Sequence, residues 1–232
     1  MGPVWRPSPN FGPRRGGARP DLIVLHYTAM PLNAALDRLC DPAAEVSAHY
    51  LITREGGLFQ LVDEGLRAWH AGAGSWGDVT DVNSRSIGIE LDNSGAEPFP
   101  APLMATLERL LAGLMVRWAV PPERVIAHSD MAPGRKCDPG RRFDWQRLAR
   151  AGLSVWPEAG PGAGGGAAPD EAAFRAALVR VGYGPNRPTG DLLEAFRLRF
   201  RPWAAGPLCP ADMAAALDLA RRFPVDRRDA SA

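Results

Sequence analysis

Along its first two thirds the chain carries short apolar runs. Longer apolar repeats at helical spacing interrupt and then follow them. The run LIVLHYT predicts a buried strand over residues 22–27 that delivers His26 at its end, because a short β-branched run bounded by turn residues fits a strand covered on both faces. SIGIELD (86–92) alternates, with Glu90 set against Ile87, Ile89 and Leu91, so Glu90 faces away from its apolar neighbours. Val125 and Ile126 predict a third strand, closed by His128. SAHYLIT and LFQLV flank REGG, whose glycine pair suits a hairpin.

Helices are read from the 3.6-residue repeat. Asn33–Leu39 predicts a short helix after Pro31, with Asn33 as its cap. Residues 101–119 carry the clearest pattern, Leu103, Leu107, Leu110, Leu111, Leu114, Met115 and Trp118, stopped by Pro121 and Pro122. FDWQRLAR adds a short closing helix. Irregular alternation of strands and helices around a hairpin predicts an α/β fold, a mixed central sheet flanked by helices.

Residues 1–20, rich in Pro, Gly and Arg, read as an extended lead-in across the surface, and residues 71–85 as a glycine-rich loop. EAGPGAGGGAAP (158–169) is a linker by composition. Three helices are expected beyond it, at 170–181, 189–200 and 210–222, with Phe174, Leu178, Phe196 and Phe200 as their core. The division is therefore a main domain over 1–157, the linker, and a small helical domain over 170–232.

A length of 232 residues suits one medium and one small domain, and a net charge of +1 gives no electrostatic case for nucleic acid or an anionic membrane. Cys40, Cys137 and Cys209 are odd in number and far apart, which is no disulfide framework and fits a reducing compartment or indifference to redox state. No uninterrupted apolar run is long enough to span a bilayer. The first twenty residues lack the apolar core of a signal peptide, and Arg6 breaks the myristoylation pattern. The expected location is cytoplasmic, with the cell envelope as the alternative should a leader precede this sequence.

The chemistry gathers at AHSDMAPGRKCDPG (127–140). His128 and Asp138 there, together with His26, make a set of three ligands for zinc, the number that leaves a fourth position for water in catalytic sites. Lys136 is the only lysine of the chain, and a compact ammonium beside a developing oxyanion does what a guanidinium fork cannot. Plainer readings stand beside these: strand-end histidines, a turn-forming Asp-Pro-Gly, an exposed strand carboxylate at Glu90, and Cys137 as a rival thiolate ligand. His49 reads as a packed strand residue.

Taken in order, LIVLHYTAM, VSAHYLITREG, AWHAG, SIGIELDN and AHSDMAPGRKCDPG resemble the zinc-dependent type 2 N-acetylmuramoyl-L-alanine amidases, nearest to their AmpD/AmiD branch. The likeness runs from SPNFGPR (8–14) to FDW (143–145). The helical tail resembles a peptidoglycan-binding module, on its GYG turn and AFRLRFRP segment. The resemblance implies one zinc ion held by His26, His128 and Asp138, with Glu90 and Lys136 as the catalytic pair. It implies hydrolysis of the amide between N-acetylmuramic acid, or its 1,6-anhydro form, and the L-alanine of the stem peptide. The expected partners are peptidoglycan fragments or the sacculus, and the expected state is a monomer. Distant relatives place a tyrosine where Ala48 precedes His49 here, which leaves the acid–base work to Glu90. His70 is then a candidate for the substrate groove without a metal role. Trp69 and Trp76 are candidates for stacking on a sugar or filling core, core being favoured for Trp69. Asn83, Ser84 and Arg85 are candidates for contacting stem-peptide carboxylates. The alternative function is a recognition protein that binds muropeptides without cleaving them.

Overall fold

The computed structural model of the chain describes residues 2–158 and 168–225, so most of the expected linker, at 159–167, lies outside the described residues. The chain opens with β1 (Val4–Trp5), β2 (Phe11–Pro13), β3 (Leu22–Tyr27) and α1 (Leu32–Cys40). Three short strands follow: β4 (Tyr50–Ile52), β5 (Leu58–Gln60) and β6 (Leu66–Ala68). The expected glycine-rich loop over 71–85 is not loop throughout: it ends in a single turn, α2 (Val82–Arg85), and then come β7 (Ser86–Leu91), α3 (Ala101–Trp118) and β8 (Val125–Ala127). A second single turn, α4 (His128–Met131), leads through a loop to α5 (Trp145–Arg150). The tail is α6 (Glu171–Val181), α7 (Thr189–Phe200) and α8 (Pro210–Arg222).

Six strands form one sheet in the order β1-β5-β4-β7-β3-β8, and β2 pairs with β6 in a separate antiparallel ribbon. Only the β4–β5 hairpin is antiparallel within the large sheet. The fold is the expected mixed sheet flanked by helices.

Strand parity decides what each face does, since successive side chains point to opposite sides. Ile23 and Leu25 of β3 and Ile87, Ile89 and Leu91 of β7 share one face and pack under Leu103, Leu107, Leu111 and Leu114 of α3 and Trp145 of α5. Each of those leucines is fully buried, which stabilises the fold by roughly 1.5–3 kcal/mol per side chain. The opposite face carries Leu22 and Val24 of β3 and Ile126 of β8, covered by Phe174, Leu178 and Phe196 of the tail. On that same face, at the carboxyl end of β3, stands His26, and its register partner on β7 is Glu90.

Several expectations change in detail. The lead-in does run extended across the surface, and it is also built into the fold: it supplies β1 and β2, and Ser8, Asn10 and Arg14 are buried. The Arg14 guanidinium donates to the carbonyls of Glu64 (2.7 Å), Ser84 (2.9 Å) and Ser86 (3.1 Å), fastening the lead-in to the start of β7. Asn33 is not a cap; α1 begins one residue earlier, behind Pro31, whose φ of −57° is already set for a helix start. Helix α3 ends before the two prolines. Ala119 turns left-handed at φ 54°, and the Val120 N–H closes back on the Met115 carbonyl at 3.0 Å.

Candidate functional site

Three elements converge at the carboxyl end of the central strands. His26 comes from β3, His128 is the first residue of α4, and Asp138 comes from the following loop. Their ligand atoms meet: His26 Nδ1 lies 2.9 Å from His128 Nδ1, and each nitrogen lies 3.0 Å from Asp138 Oδ2. All three residues are buried, between 2% and 9% exposed.

Hydrogen bonds on the far side of each ring fix the tautomers. His128 Nε2 donates to the Ala71 carbonyl at 2.8 Å, which leaves Nδ1 with its lone pair. For His26 the deduction runs through a relay. The Ser86 hydroxyl donates to the Val82 carbonyl (2.6 Å) and so accepts from His70 Nε2 (3.1 Å). His70 Nδ1 is then the acceptor for His26 Nε2 at 3.0 Å, and His26 Nδ1 is left bare. Imidazoles that ligate metals are oriented by such outer partners. Two nitrogen lone pairs and a carboxylate oxygen crowded together call for a cation between them. A zinc tetrahedron with bonds of about 2.0–2.1 Å sets ligand atoms about 3.3 Å apart, so an opening of a few tenths of an ångström seats the ion. The donor set fits zinc.

Electrostatics agree with a cationic occupant. Burial, reinforced by neighbouring His128, pushes the His26 imidazole down to about 4, so it stays neutral at pH 7. Glu90 is pushed up to about 8, by burial first and the Asp138 charge second, with Lys136 opposing. Its Oε2 is closed off from solvent and has no hydrogen-bond partner among the described residues. A buried carboxylate oxygen without a partner is costly in a finished structure and is suited to a group that exchanges protons with a ligand.

These residues line a cleft of about 390 Å³ that also takes in His70, Trp69, Lys136 and Arg135. Lys136 and Arg135 are exposed at its rim, and Arg135 donates to the Ala71 carbonyl at 2.8 Å. Cys137 is exposed, outside the converging trio, with its thiol 3.4 Å from the Tyr27 hydroxyl. His70 stands in the cleft wall as the partner of His26, and His49 is fully buried, its Nδ1 accepting the Gly88 N–H at 3.0 Å.

Of the two tryptophans, Trp69 departs from the expected core position, and Trp76, left open between stacking and core, takes the core one. Trp69 lines the cleft and Trp76 is core, 1% exposed and edge-on to Tyr183 at 5.1 Å. The glycine-rich loop tucks Trp76 under the tail, where Gly182 leaves space; a Cβ there would lie 2.4 Å from the indole. Asn83, Ser84 and Arg85 do not reach the cleft. Asn83 Oδ1 accepts from the backbone of His70 (3.1 Å) and Ala71 (2.9 Å), Ser84 donates to Asp81 (2.8 Å), and Arg85 pairs with Asp21 (2.9 Å). Reading residue types alone missed Ser86 and Gly88. Their signal is the parity of SIGIELD, where Ser86, Gly88 and Glu90 share the cleft face.

Comparison with known proteins gives concordant matches. The profile of the N-acetylmuramoyl-L-alanine amidase family matches residues 16–141. The chain is 36% identical to N-acetylmuramoyl-L-alanine amidase AmiD of Escherichia coli, over 78% of this chain and 75% of that protein. It is 33% identical to 1,6-anhydro-N-acetylmuramyl-L-alanine amidase AmpD of Haemophilus influenzae, over 60% of this chain and 86% of that one. Among solved structures, E. coli AmiD in complex with anhydro-N-acetylmuramic acid-L-Ala-D-γ-Glu-L-Lys superposes with a TM-score of 0.82 at 33% identity, covering 95% of this chain and 94% of the other. Pseudomonas aeruginosa AmpDH3 with anhydromuramic pentapeptide gives a TM-score of 0.81 at 30% identity, covering 94% and 96%.

Proposed function

Given that this chain belongs to the N-acetylmuramoyl-L-alanine amidase family, we propose that it hydrolyses its amide at a zinc site made by His26, His128 and Asp138, with Glu90 and Lys136 as the catalytic pair. The bond cleaved joins the lactyl carbonyl of N-acetylmuramic acid, or its 1,6-anhydro form, to the nitrogen of L-alanine. The observation that carries the site assignment is the convergence of two bare imidazole nitrogens and one carboxylate oxygen beside Glu90.

Zinc in that position supplies Lewis acidity toward the carbonyl and makes water a stronger acid. The chain's own groups do the rest. His26 and His128, oriented by His70 and the Ala71 carbonyl, keep their Nδ1 atoms turned inward. Glu90 accepts the proton of the attacking water on its carboxylate as the water oxygen bonds to the carbonyl carbon. The Lys136 ammonium at the rim donates to the developing oxyanion. Glu90 then returns the proton to the alanine nitrogen, the C–N bond breaks, and a lactyl carboxylate and a free peptide amine leave. One group doing both transfers needs a carboxyl whose proton affinity lies near the working pH; the burial that raises the proton affinity of Glu90 supports that role.

Substrates of the kind bound in the AmiD and AmpDH3 complexes, anhydromuramyl peptides, are the class we assign. Among the described residues no helix is long and apolar enough to cross a membrane. The test is mass spectrometry of products from zinc-loaded protein given anhydromuropeptide and, in parallel, intact sacculi, with a chelator control. Expected is a free peptide beginning at L-alanine, lost on chelation and lost in Asp138→Ala. Substrate left intact, or cut at another bond, would refute the assignment.

A further inference from the structure

Asp130, two residues past His128, is fully buried. Its Oδ2 accepts the Ala127 N–H at 2.9 Å, closing the first turn of α4 on itself. The same oxygen accepts from Arg199 Nη1 at 2.6 Å, and Oδ1 accepts from the Tyr183 hydroxyl at 2.6 Å. Arg199 lies on α7 and Tyr183 just beyond α6, so both partners come from the tail. Arg199 also donates Nη2 to the Val125 carbonyl (2.9 Å) and to Ser154 Oγ (3.1 Å), with its guanidinium 4.4 Å from the Trp145 ring centre.

These contacts grip the chain on both sides of His128: at Val125 on the strand leading into it and at Asp130 beyond it. The same turn reaches the third member of the trio, because the Ser129 N–H donates to the Asp138 carbonyl at 3.0 Å. One turn of helix therefore presents His128 and tethers Asp138. A buried ion pair is a poor device for stability, since well-packed apolar groups of the same volume often serve as well or better. It is a good device for fixing a backbone, because a guanidinium fork and a carboxylate allow few mutual geometries.

We propose that Arg199 and Tyr183 are positioning residues for the metal site, acting through Asp130 on the turn that carries His128 and holds Asp138. On this assignment the tail is part of the hydrolytic centre's frame, whatever else it binds. The proposal rests on the zinc reading of His26, His128 and Asp138.

The experiment is a zinc competition titration of the purified full-length chain against a chromophoric chelator, with circular dichroism and thermal melting on the same samples. Arg199→Met is expected to weaken zinc binding roughly 10–100-fold, the range for loss of a group that orients a ligand. Tyr183→Phe is expected to weaken it by a smaller factor while folding normally. Arg197→Met is the control: it breaks a buried pair internal to the tail, with Asp212 at 2.5 Å, and should lower the melting point without changing zinc affinity. Wild-type affinity in folded Arg199→Met and Tyr183→Phe would overturn the proposal. So would an equal loss in Arg197→Met, which would mean only that a loosened tail loosens everything. If Arg199→Met does not fold, Tyr183→Phe decides between these results. A wild-type chain that takes up no zinc overturns the metal reading instead, and that is seen before any variant is compared.

Discussion

With a side chain at position 88, His70 would have nowhere to stand: a Cβ on Gly88 would lie 2.4–2.6 Å from three atoms of its ring. The relay from Ser86 through His70 to His26 therefore depends on a hydrogen atom at residue 88. Gly88→Ala should displace His70, free the His26 ring to turn, and weaken zinc binding and turnover by about tenfold or more, with zinc titration and kcat as the measurements. Glu90→Gln is expected to keep zinc while turnover falls roughly 10²–10⁴-fold, the usual worth of a positioned acid–base group. The same substitution has a pH signature in zinc-free protein. The Glu90 pKa is raised to about 8 from an ordinary 4.5, so its contribution to stability is complete below pH 4.5 and is lost as pH rises through about 8. Melting points across that window should fall less steeply for Glu90→Gln than for wild type. His26, His128 and Asp138 were legible in the sequence because few roles suit those residue types at a strand end and in a Lys-x-Asp-Pro loop. Ser86 and Gly88 were not, because their meaning arrives with His70, which lies 16 residues before Ser86 in a loop.

Among the elements, the helices longer than one turn were read almost to the residue and the single turns α2 and α4 were not; of the short strands β4, β5 and β8 were read, and β1, β2 and β6 were not. Helix α3 runs for five turns with one buried face, and that repeat is visible without any neighbour. β1, β2 and β6 have no room for a period; they exist because β5 pairs with β1, and β2 with β6. The pattern placed the end of α3 within a residue but not the way it ends, since Ala119 closes it in a conformation that alanine disfavours. Ala119→Gly should therefore stabilise the protein by about 1 kcal/mol, read as a raised denaturation midpoint with an unchanged denaturant slope.

At the level of the whole molecule, the linker composition suggested two separable bodies, while the apolar contacts run continuously from β3 and β8 through Trp76 into α6 and α7. Composition reports that a segment cannot pack; it is silent on what its two ends do afterwards. A chain stopped at residue 158 would uncover Leu22, Val24, Trp76 and Ile126, each at most 1% exposed in the intact protein. Such a truncation is expected to be poorly soluble and to melt well below the full chain, as sedimentation and thermal denaturation would report.

The Asp130–Arg199 pair also constrains how such a chain can change over generations. Losing the arginine first strands a buried carboxylate, and losing the aspartate first strands a buried guanidinium; either step costs about 3–5 kcal/mol, a large part of a domain's stability. The two positions are therefore expected to vary together, which a comparison of related sequences would check. A tail exchanged by recombination would be tolerated only where the incoming helices bring a partner for Asp130, so the boundary most open to shuffling by composition is among the most closed by charge.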